Sequence, residues 1–183
     1  LVRSRGLGDV YKRQLVARAA ANNGFLPNLI GILANSPQAL ETYLGVAQTT
    51  ARGELTLAER EVLQITAARI HGCDFCVAGH SAAALKQAKL PASAVVALQR
   101  GEATGEARLD AVRAFTEAVI ASRGKVSDEA LAAFRGAGYS ERQVLEVVLG
   151  VSLATLCNFA NSLAGSAVNP QLQPYPVSYT HLR

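Results

Sequence analysis

The chain of 183 residues is half apolar, and only 17% of its residues are charged. This composition excludes an intrinsically disordered protein and allows one domain with a substantial core. Ala and Leu are abundant whereas aromatic residues make up only 5%, which favours helices over a sheet.

The net charge of +4 belongs to the two ends of the chain. Residues 1–14 and 176–183 resemble peptides translated from sequencing-adapter DNA, so we treat them as non-native tails and expect the domain to span 15–175. Native flexible tails are the alternative. Of 18 basic and 14 acidic residues, five basic and one acidic lie in the tails, which leaves 13 of each in the domain. This balance gives no support for nucleic-acid binding.

Helix signals recur along the whole domain, and no segment alternates polar and apolar residues as a strand would. The predicted starts are Ser36 with Pro37, Thr56 with Glu59, Pro91, Asp110, Ser127, and Ser140 with Gln143. Helices are predicted to end at Thr50, Gly72, Pro91, Gly101 and Ser122. The one that ends at Pro91 is the helix that follows the cysteines. The fold is therefore predicted to be all-α.

A weak internal repeat connects two of these helices. Ala58–Ile65 (AEREVLQI) aligns without gaps with Ser140–Val147 (SERQVLEV) at an offset of 82 residues. The repeat suggests a duplicated helix pair in which only the first copy kept its chemistry, because the offset places Cys73 opposite Thr155 and Cys76 opposite Asn158. Chance similarity between two capped amphipathic helices explains the pattern equally well.

The most apolar run, Val144 to Ala160, contains Glu146, Ser152, Thr155 and Asn158, which indicates a buried core helix rather than a membrane span. No secretory signal opens the chain, and three cysteines do not form a secreted disulfide framework. We expect a cytoplasmic protein without a membrane partner.

The chemistry is concentrated between residues 61 and 80. Cys73 and Cys76 are three residues apart at a predicted helix start, where they can form a disulfide and where the helix N-terminus lowers a thiol pKa. His80 lies on the same helix face and can accept the thiol proton or, as an imidazolium, hold the thiolate. Glu61, on the preceding helix, can orient the ring or relay protons.

This pattern of Glu61, Cys73, Cys76 and His80, with its spacing, resembles the signature of alkylhydroperoxidase D-like (AhpD-like) proteins in the carboxymuconolactone decarboxylase superfamily. The resemblance extends from Asn23 to about Pro174. It implies an AhpD-like helical bundle and an antioxidant oxidoreductase with peroxiredoxin activity, acting on hydroperoxides or disulfides. It assigns peroxide attack to Cys76, resolution of the sulfenate to Cys73, the base to His80, and its orientation or proton relay to Glu61.

The resemblance also implies partners. It suggests a thiol reductant, such as a lipoylated or thioredoxin-like protein, and a homo-oligomer, either a trimer or a hexamer. Neither a metal nor an organic cofactor is expected. Phe75 stands where the best-studied family peroxidase has a histidine, so thiol–disulfide exchange is implied more firmly than rapid peroxide reduction.

Other interpretations of the same residues remain open. A Cys-x-x-Cys pair is half of many zinc sites, which His80 with His71 or Glu61 would have to complete. A cofactor-free lactone decarboxylase of the same superfamily and a non-catalytic helical interaction protein are the functional alternatives. His71 is predicted to cap a helix C-terminus, and Cys157 to be a small buried hydrophobic residue.

Overall fold

The computed structural model describes residues 13–17, 20–21 and 24–175, and all regular structure within them is helical. The bounded α-helices are α1 (Asn28–Leu33), α2 (Pro37–Thr50), α3 (Leu57–Ile70), α4 (Asp74–Lys86), α5 (Ala92–Arg100), α6 (Ala107–Ser122), α7 (Asp128–Gly136) and α8 (Glu141–Ala164), followed by a 3-10 helix (Pro170–Leu172). The all-α prediction is confirmed. Apart from residues 13 and 14, both predicted tails lie outside the described residues.

Side-chain caps begin four of the helices where the sequence predicted them. Ser36 and Ser127 each accept a hydrogen bond from the first turn of α2 and α7. Full capping boxes, in which the cap and the third helical residue bond each other reciprocally, begin α3 at Thr56 and α8 at Ser140.

Two predicted helix boundaries are wrong. Helix α6 begins at Ala107 rather than Asp110, because the Asp110 carboxylate accepts hydrogen bonds from the backbone N–H groups of Thr104 and Gly105 and so acts from inside the first turn. Helix α4 ends at Lys86, before Pro91, because the chain turns through left-handed Lys89. There the Leu90 N–H donates to the Ala84 carbonyl and closes the turn.

Helix α3 is the centre of the molecule. It packs against α4, α5, α6 and α8, and nine of its fourteen residues are buried. One core cluster lies between α3, α6, α7 and α8, and the other surrounds the cysteines and includes residues of α1, α2, α4 and α8. The cysteine helix is thus built into the core on several sides.

The two copies of the sequence repeat have different structures. In the first copy, Gly72 adopts a left-handed conformation (φ 68°) between α3 and α4. The equivalent position in the second copy is Ala154, where α8 continues unbroken. The capping boxes are therefore shared, but the second copy forms one continuous helix where the first forms two, because α8 lacks the residue that breaks the helix. The suggested duplication stays a prediction.

Helix α8 approaches α3 closely at Gly150. A Cβ atom there would lie 2.7 Å from Cδ1 of Leu63, and the Gly150 carbonyl accepts a hydrogen bond from Gln64 Nε2 at 3.1 Å. By length and hydropathy alone α8 could cross a membrane, a test that core helices also pass. Its buried face carries Gln143, Asn158 and Asn161 and contacts five other helices.

Candidate active site

The break between α3 and α4 positions both cysteines. The Cys73 N–H donates to the Ala68 carbonyl at 2.9 Å after the turn at Gly72, and Cys73 becomes the N-cap of α4. Cys76 follows in the first turn, and both residues are buried, at 3% and 4% exposure. The two thiols lie side by side at a helix N-terminus, where the helix dipole favours negative charge.

After the cysteine pair has lost one proton, the two sulfurs share the remaining proton and one negative charge. A hydrogen bond from the Cys76 thiol, opposed by burial and assisted by the Cys76 N–H, lowers the pKa of Cys73 to about 7. The same bond to Cys73, together with burial, raises the pKa of Cys76. The pair therefore loses its first proton near neutral pH, and the negative charge then lies on Cys73 while Cys76 keeps its proton.

His80 and Glu61 form a hydrogen-bonded pair across α3 and α4. Nδ1 of His80 donates to Oε2 of Glu61 at 2.8 Å; Glu61 is buried, and the His80 side chain is 33% exposed. Burial disfavours the imidazolium, but the Glu61 carboxylate and the negative charge at Cys73 raise the pKa of His80 overall. The ring is therefore held in one orientation, with Nε2 left for another partner.

Asn161 on α8 completes the surroundings of the sulfurs. Its Nδ2 donates to Cys76 Sγ at 3.3 Å, and the side chain is buried at 2% exposure. Its Oδ1 is buried without a hydrogen-bond partner among the described residues. An amide donor at this position favours the ionised form of the cysteine pair.

His71 lies at the C-terminus of α3 as predicted, but its partner is a side chain. Nδ1 of His71 donates to Oδ1 of the buried Asn158 at 2.9 Å, and its ring packs edge-on against Phe159. His71 thus attaches the end of α3 to α8. Asn158 and Asn161 lie one turn apart and hold α8 against the two sides of the helix break.

A cavity of about 950 Å³ reaches the candidate site. Cys76, His80 and Glu61 line it, and Cys73 is not among its lining residues. A molecule in the cavity therefore meets Cys76, while Cys73 lies behind it. The volume is at the upper end of the range that is typical of small-molecule sites.

Two further cavity residues approach the motif from distant parts of the chain. Tyr43 of α2 is half-buried, and the loss of solvation, with smaller contributions from the nearby Cys157, Cys76 and Glu61, raises its pKa, so its hydroxyl remains neutral. Cys157 of α8 is buried as predicted, and its pKa is raised to about 12 by burial and by the charge at Cys73. It too lines the cavity.

Sequence reasoning identified the residues of α3 and α4 but missed Tyr43 and Asn161. These two come from α2 and α8, and 85 residues separate Asn161 from Cys76. A polar residue directly after the apolar run, on the same predicted helix, is the one signal that could have indicated Asn161, because buried amides need partners.

The zinc interpretation finds no ligand set in the described residues. No group of three or more His, Cys, Asp or Glu side chains is arranged there to hold a metal ion. His71 is bound to Asn158, and Glu61 is bound to His80.

Comparisons with known proteins give one family match and several structures of similar fold. Residues 37–118 match the carboxymuconolactone decarboxylase family, while a comparison with curated proteins finds no match. Similar solved structures include an alkylhydroperoxidase AhpD core, an uncharacterized peroxidase-related protein from Ralstonia eutropha JMP134 (21% identity, TM-score 0.77, covering 88% of this chain and 86% of that one).

A peroxidase-related protein from Silicibacter sp. TM1040 (18% identity, TM-score 0.74, covering 87% and 85%) is also similar. So is the debrominase Bmp8 in its apo form (17% identity, TM-score 0.75, covering 93% and 92%). At these identities the neighbours establish the fold alone, and the predicted AhpD-like fold is confirmed.

Proposed function

Because residues 37–118 match the carboxymuconolactone decarboxylase family, we propose that this chain is a thiol-dependent oxidoreductase that reduces hydroperoxides through Cys76 and Cys73. One observation carries the proposal: Cys76 lines a large cavity beside the bonded His80 and Glu61, and its hydrogen-bond partner Cys73 is not among the residues that line the cavity. A substrate-facing sulfur, a resolving sulfur and a proton donor are thus combined in one place.

In the first step, Cys76 transfers its proton to the Cys73 thiolate, with which it already shares a hydrogen bond. The resulting Cys76 thiolate attacks the distal oxygen of the hydroperoxide, so that a sulfur–oxygen bond forms and the oxygen–oxygen bond breaks. The departing alkoxide takes a proton from the His80 imidazolium, which Glu61 supports, and leaves as an alcohol.

This step gives His80 the second of the two roles predicted from the sequence. The raised pKa of His80 supports an imidazolium that stabilises negative charge and then donates a proton, rather than a neutral base. The base for Cys76 is then Cys73.

In the second step, the sulfur of Cys73 attacks the sulfenic acid on Cys76. A disulfide forms, and the Cys76 hydroxyl leaves as water together with the Cys73 proton. The N-cap and first-turn positions of the two cysteines suit such a bridge. An external dithiol then reduces the disulfide and is itself oxidised; a lipoylated or thioredoxin-like protein remains our proposal for this donor.

The proposal is tested by stopped-flow oxidation of the reduced protein with hydrogen peroxide, cumene hydroperoxide and a small disulfide. Cys76→Ser should abolish the reaction, whereas Cys73→Ser should react more slowly and accumulate a sulfenate that mass spectrometry detects. If Cys73→Ser abolishes the first step while Cys76→Ser does not, the two cysteines have the opposite roles.

Peptide mapping of the oxidised protein tests which cysteines form the disulfide. The oxidised protein should contain a Cys73–Cys76 disulfide with Cys157 free, and Cys157→Ser should retain that disulfide. A dominant bridge to Cys157 would contradict the proposed couple.

The same variants separate the two alternative functions. A lactone decarboxylase needs no cysteine pair, so lactone turnover that survives in Cys76→Ser would favour it. A non-catalytic interaction protein should show ordinary thiol titration and no preferred disulfide.

A further inference from the structure

The charges that line the cavity are unbalanced. Four cations line it, namely Arg52, Arg60, Lys86 and Arg142, against two carboxylates, Glu61 and Glu146. Within the part of the chain that the structure describes, both carboxylates already have partners inside the protein. The cavity therefore presents an excess of positive charge to whatever enters it.

Glu146 is one of the two cavity carboxylates that already bind groups of the protein. Its oxygens accept hydrogen bonds from the N–H groups of Glu54 and Leu55 at 2.8 to 2.9 Å, and Oε1 pairs with Arg142 at 3.3 Å. Its role is to hold the α2–α3 connection against α8. It leaves Arg142 as the one lining cation with carboxylate partners.

The other three cations lack such partners. None of the ion pairs among the described residues includes Arg52, Arg60 or Lys86. Nη1 of the half-buried Arg60 donates only to the Leu55 carbonyl, at 2.6 Å, and Lys86 lies over the Tyr175 ring at 4.9 Å. Arg60 is thus a half-buried guanidinium on the cavity wall whose charge no carboxylate of the described residues neutralises, so it is available to pair with an anion that enters the cavity.

Apolar side chains form a large part of the remaining cavity wall, which also includes the polar residues Thr49, Thr50, Gln64, Gln87 and Gln171. Side chains of α1, α4, α8 and the 3-10 helix contribute to it, among them Leu29, Ile30, Phe75, Leu153 and Leu172. A small inorganic anion would leave this surface in contact with water. An organic anion with a long apolar body covers it and also reaches the cations.

We propose that the cavity binds hydroperoxides that carry a carboxylate on a long apolar chain, such as a fatty-acid hydroperoxide. The apolar body lies along the wall near Cys76, and the carboxylate pairs with the guanidinium groups of Arg60 and Arg52, whose planar geometry suits it. This inference rests on the proposed function for its peroxide group, but the anion site can be tested without any reaction.

The binding experiment uses the reduced full-length chain with 13-hydroxylinoleic acid and its methyl ester, both below their micelle concentrations. Calorimetric titration should show the acid binding at least about tenfold more tightly than the ester, a preference that decreases with added salt. Arg60→Gln should reduce the acid-to-ester ratio about tenfold. Arg100→Gln removes the same charge from an exposed position outside the cavity and should keep the ratio.

Because Arg60→Gln also loses the bond to Leu55, Arg52→Gln provides a second variant on an exposed residue. It should reduce the ratio in the same direction. Equal binding of acid and ester, or equal ratios in Arg60→Gln, Arg52→Gln and Arg100→Gln, would overturn the inference.

The kinetic experiment compares kcat/KM for 13-hydroperoxylinoleic acid with that for its methyl ester. A preference for the acid that is lost in Arg60→Gln supports the inference. Equal rates would overturn it and leave the proposed peroxidase function intact. If neither compound reacts but the acid binds preferentially, the peroxidase proposal fails and the anion site stands.

Discussion

Two protons at the candidate site decide how its residues work together. One is shared by the sulfurs of Cys73 and Cys76, and its loss gives a thiolate with a pKa of about 7. The other sits on His80, where the Glu61 carboxylate outweighs the effect of burial and raises the pKa. The reactive form needs the first proton removed and the second retained, so the raised pKa of His80 widens the pH range in which both conditions hold.

Peroxide reduction should therefore show a bell-shaped dependence on pH. The rate should increase as pH rises through about 7, where the thiolate forms, and decrease where His80 loses its proton. Glu61→Gln removes the charge that raises the pKa of His80, so the alkaline limb should move to lower pH while the acid limb stays. Single-turnover rates against pH, with thiolate absorbance followed in parallel, measure both limbs.

The double variant provides the control for this coupling. If Glu61 acts through His80, Glu61→Gln with His80→Ala should be little slower than His80→Ala alone. Independent, multiplicative losses would mean that Glu61 does not act through the ring.

The amide of Asn161 leads to a separate expectation. Asn161→Leu removes the donor to Cys76 Sγ, so the thiol pair should ionise at higher pH and react about tenfold more slowly at pH 7. Asn158→Leu is the matched control, because Asn158 is equally buried on α8 but is bound to His71. It should reduce stability without moving the thiolate titration. A similar titration shift in both variants would indicate general damage to α8.

At the scale of secondary structure, the contact between α3 and α8 depends on Gly150. An added methyl group would overlap the buried Leu63 side chain, so Gly150→Ala should reduce the free energy of unfolding by about 1–3 kcal/mol. Gly45 lies inside α2 with nothing within 4 Å of its Cβ position, and Gly45→Ala should stabilise by about 0.5–1 kcal/mol. Urea denaturation of both variants measures the difference, and equal effects would contradict the close approach.

Helix positions could be predicted from the sequence where the residues that specify them lie close together in the chain. Thr56 with Glu59 and Ser140 with Gln143 specify helix starts within four residues, and both boxes are present. The spacing of Glu61 and His80 likewise depends on two adjacent helices. The contacts of Asn161 and Tyr43 could not be predicted, because they depend on how distant helices pack. The start of α6 was misplaced because Asp110 caps from a position that resembles a helix start.

At the scale of the whole molecule, α8 leaves an apolar stripe exposed. Leu145, Val148, Phe159 and Leu163 have exposures of 45% to 93%. At 100° per residue they lie within about 60° of one another, along about 27 Å of the helix. The exposed Ser152 lies on the same face between Val148 and Phe159, so the stripe consists of two apolar patches, and exposed apolar patches favour association with another protein surface.

We therefore expect the oligomer that the sequence predicted. Light scattering after size exclusion should give a mass that is a multiple of the 19.2 kDa chain. Leu163→Glu, which places a charge on the stripe, should reduce that mass, whereas Arg100→Glu should not. A monomeric wild-type protein would contradict this expectation.

The position of Cys76 on the cavity wall, with Cys73 behind it, also constrains the order of the catalytic cycle. A reductant that enters the same cavity meets Cys76 and expels Cys73, whose low pKa makes it the better leaving group. Oxidant and reductant then react with the same sulfur through the same opening, and neither can bind while the other occupies it. The enzyme should follow ping-pong kinetics, with parallel double-reciprocal lines, and an excess of either substrate should competitively inhibit the other.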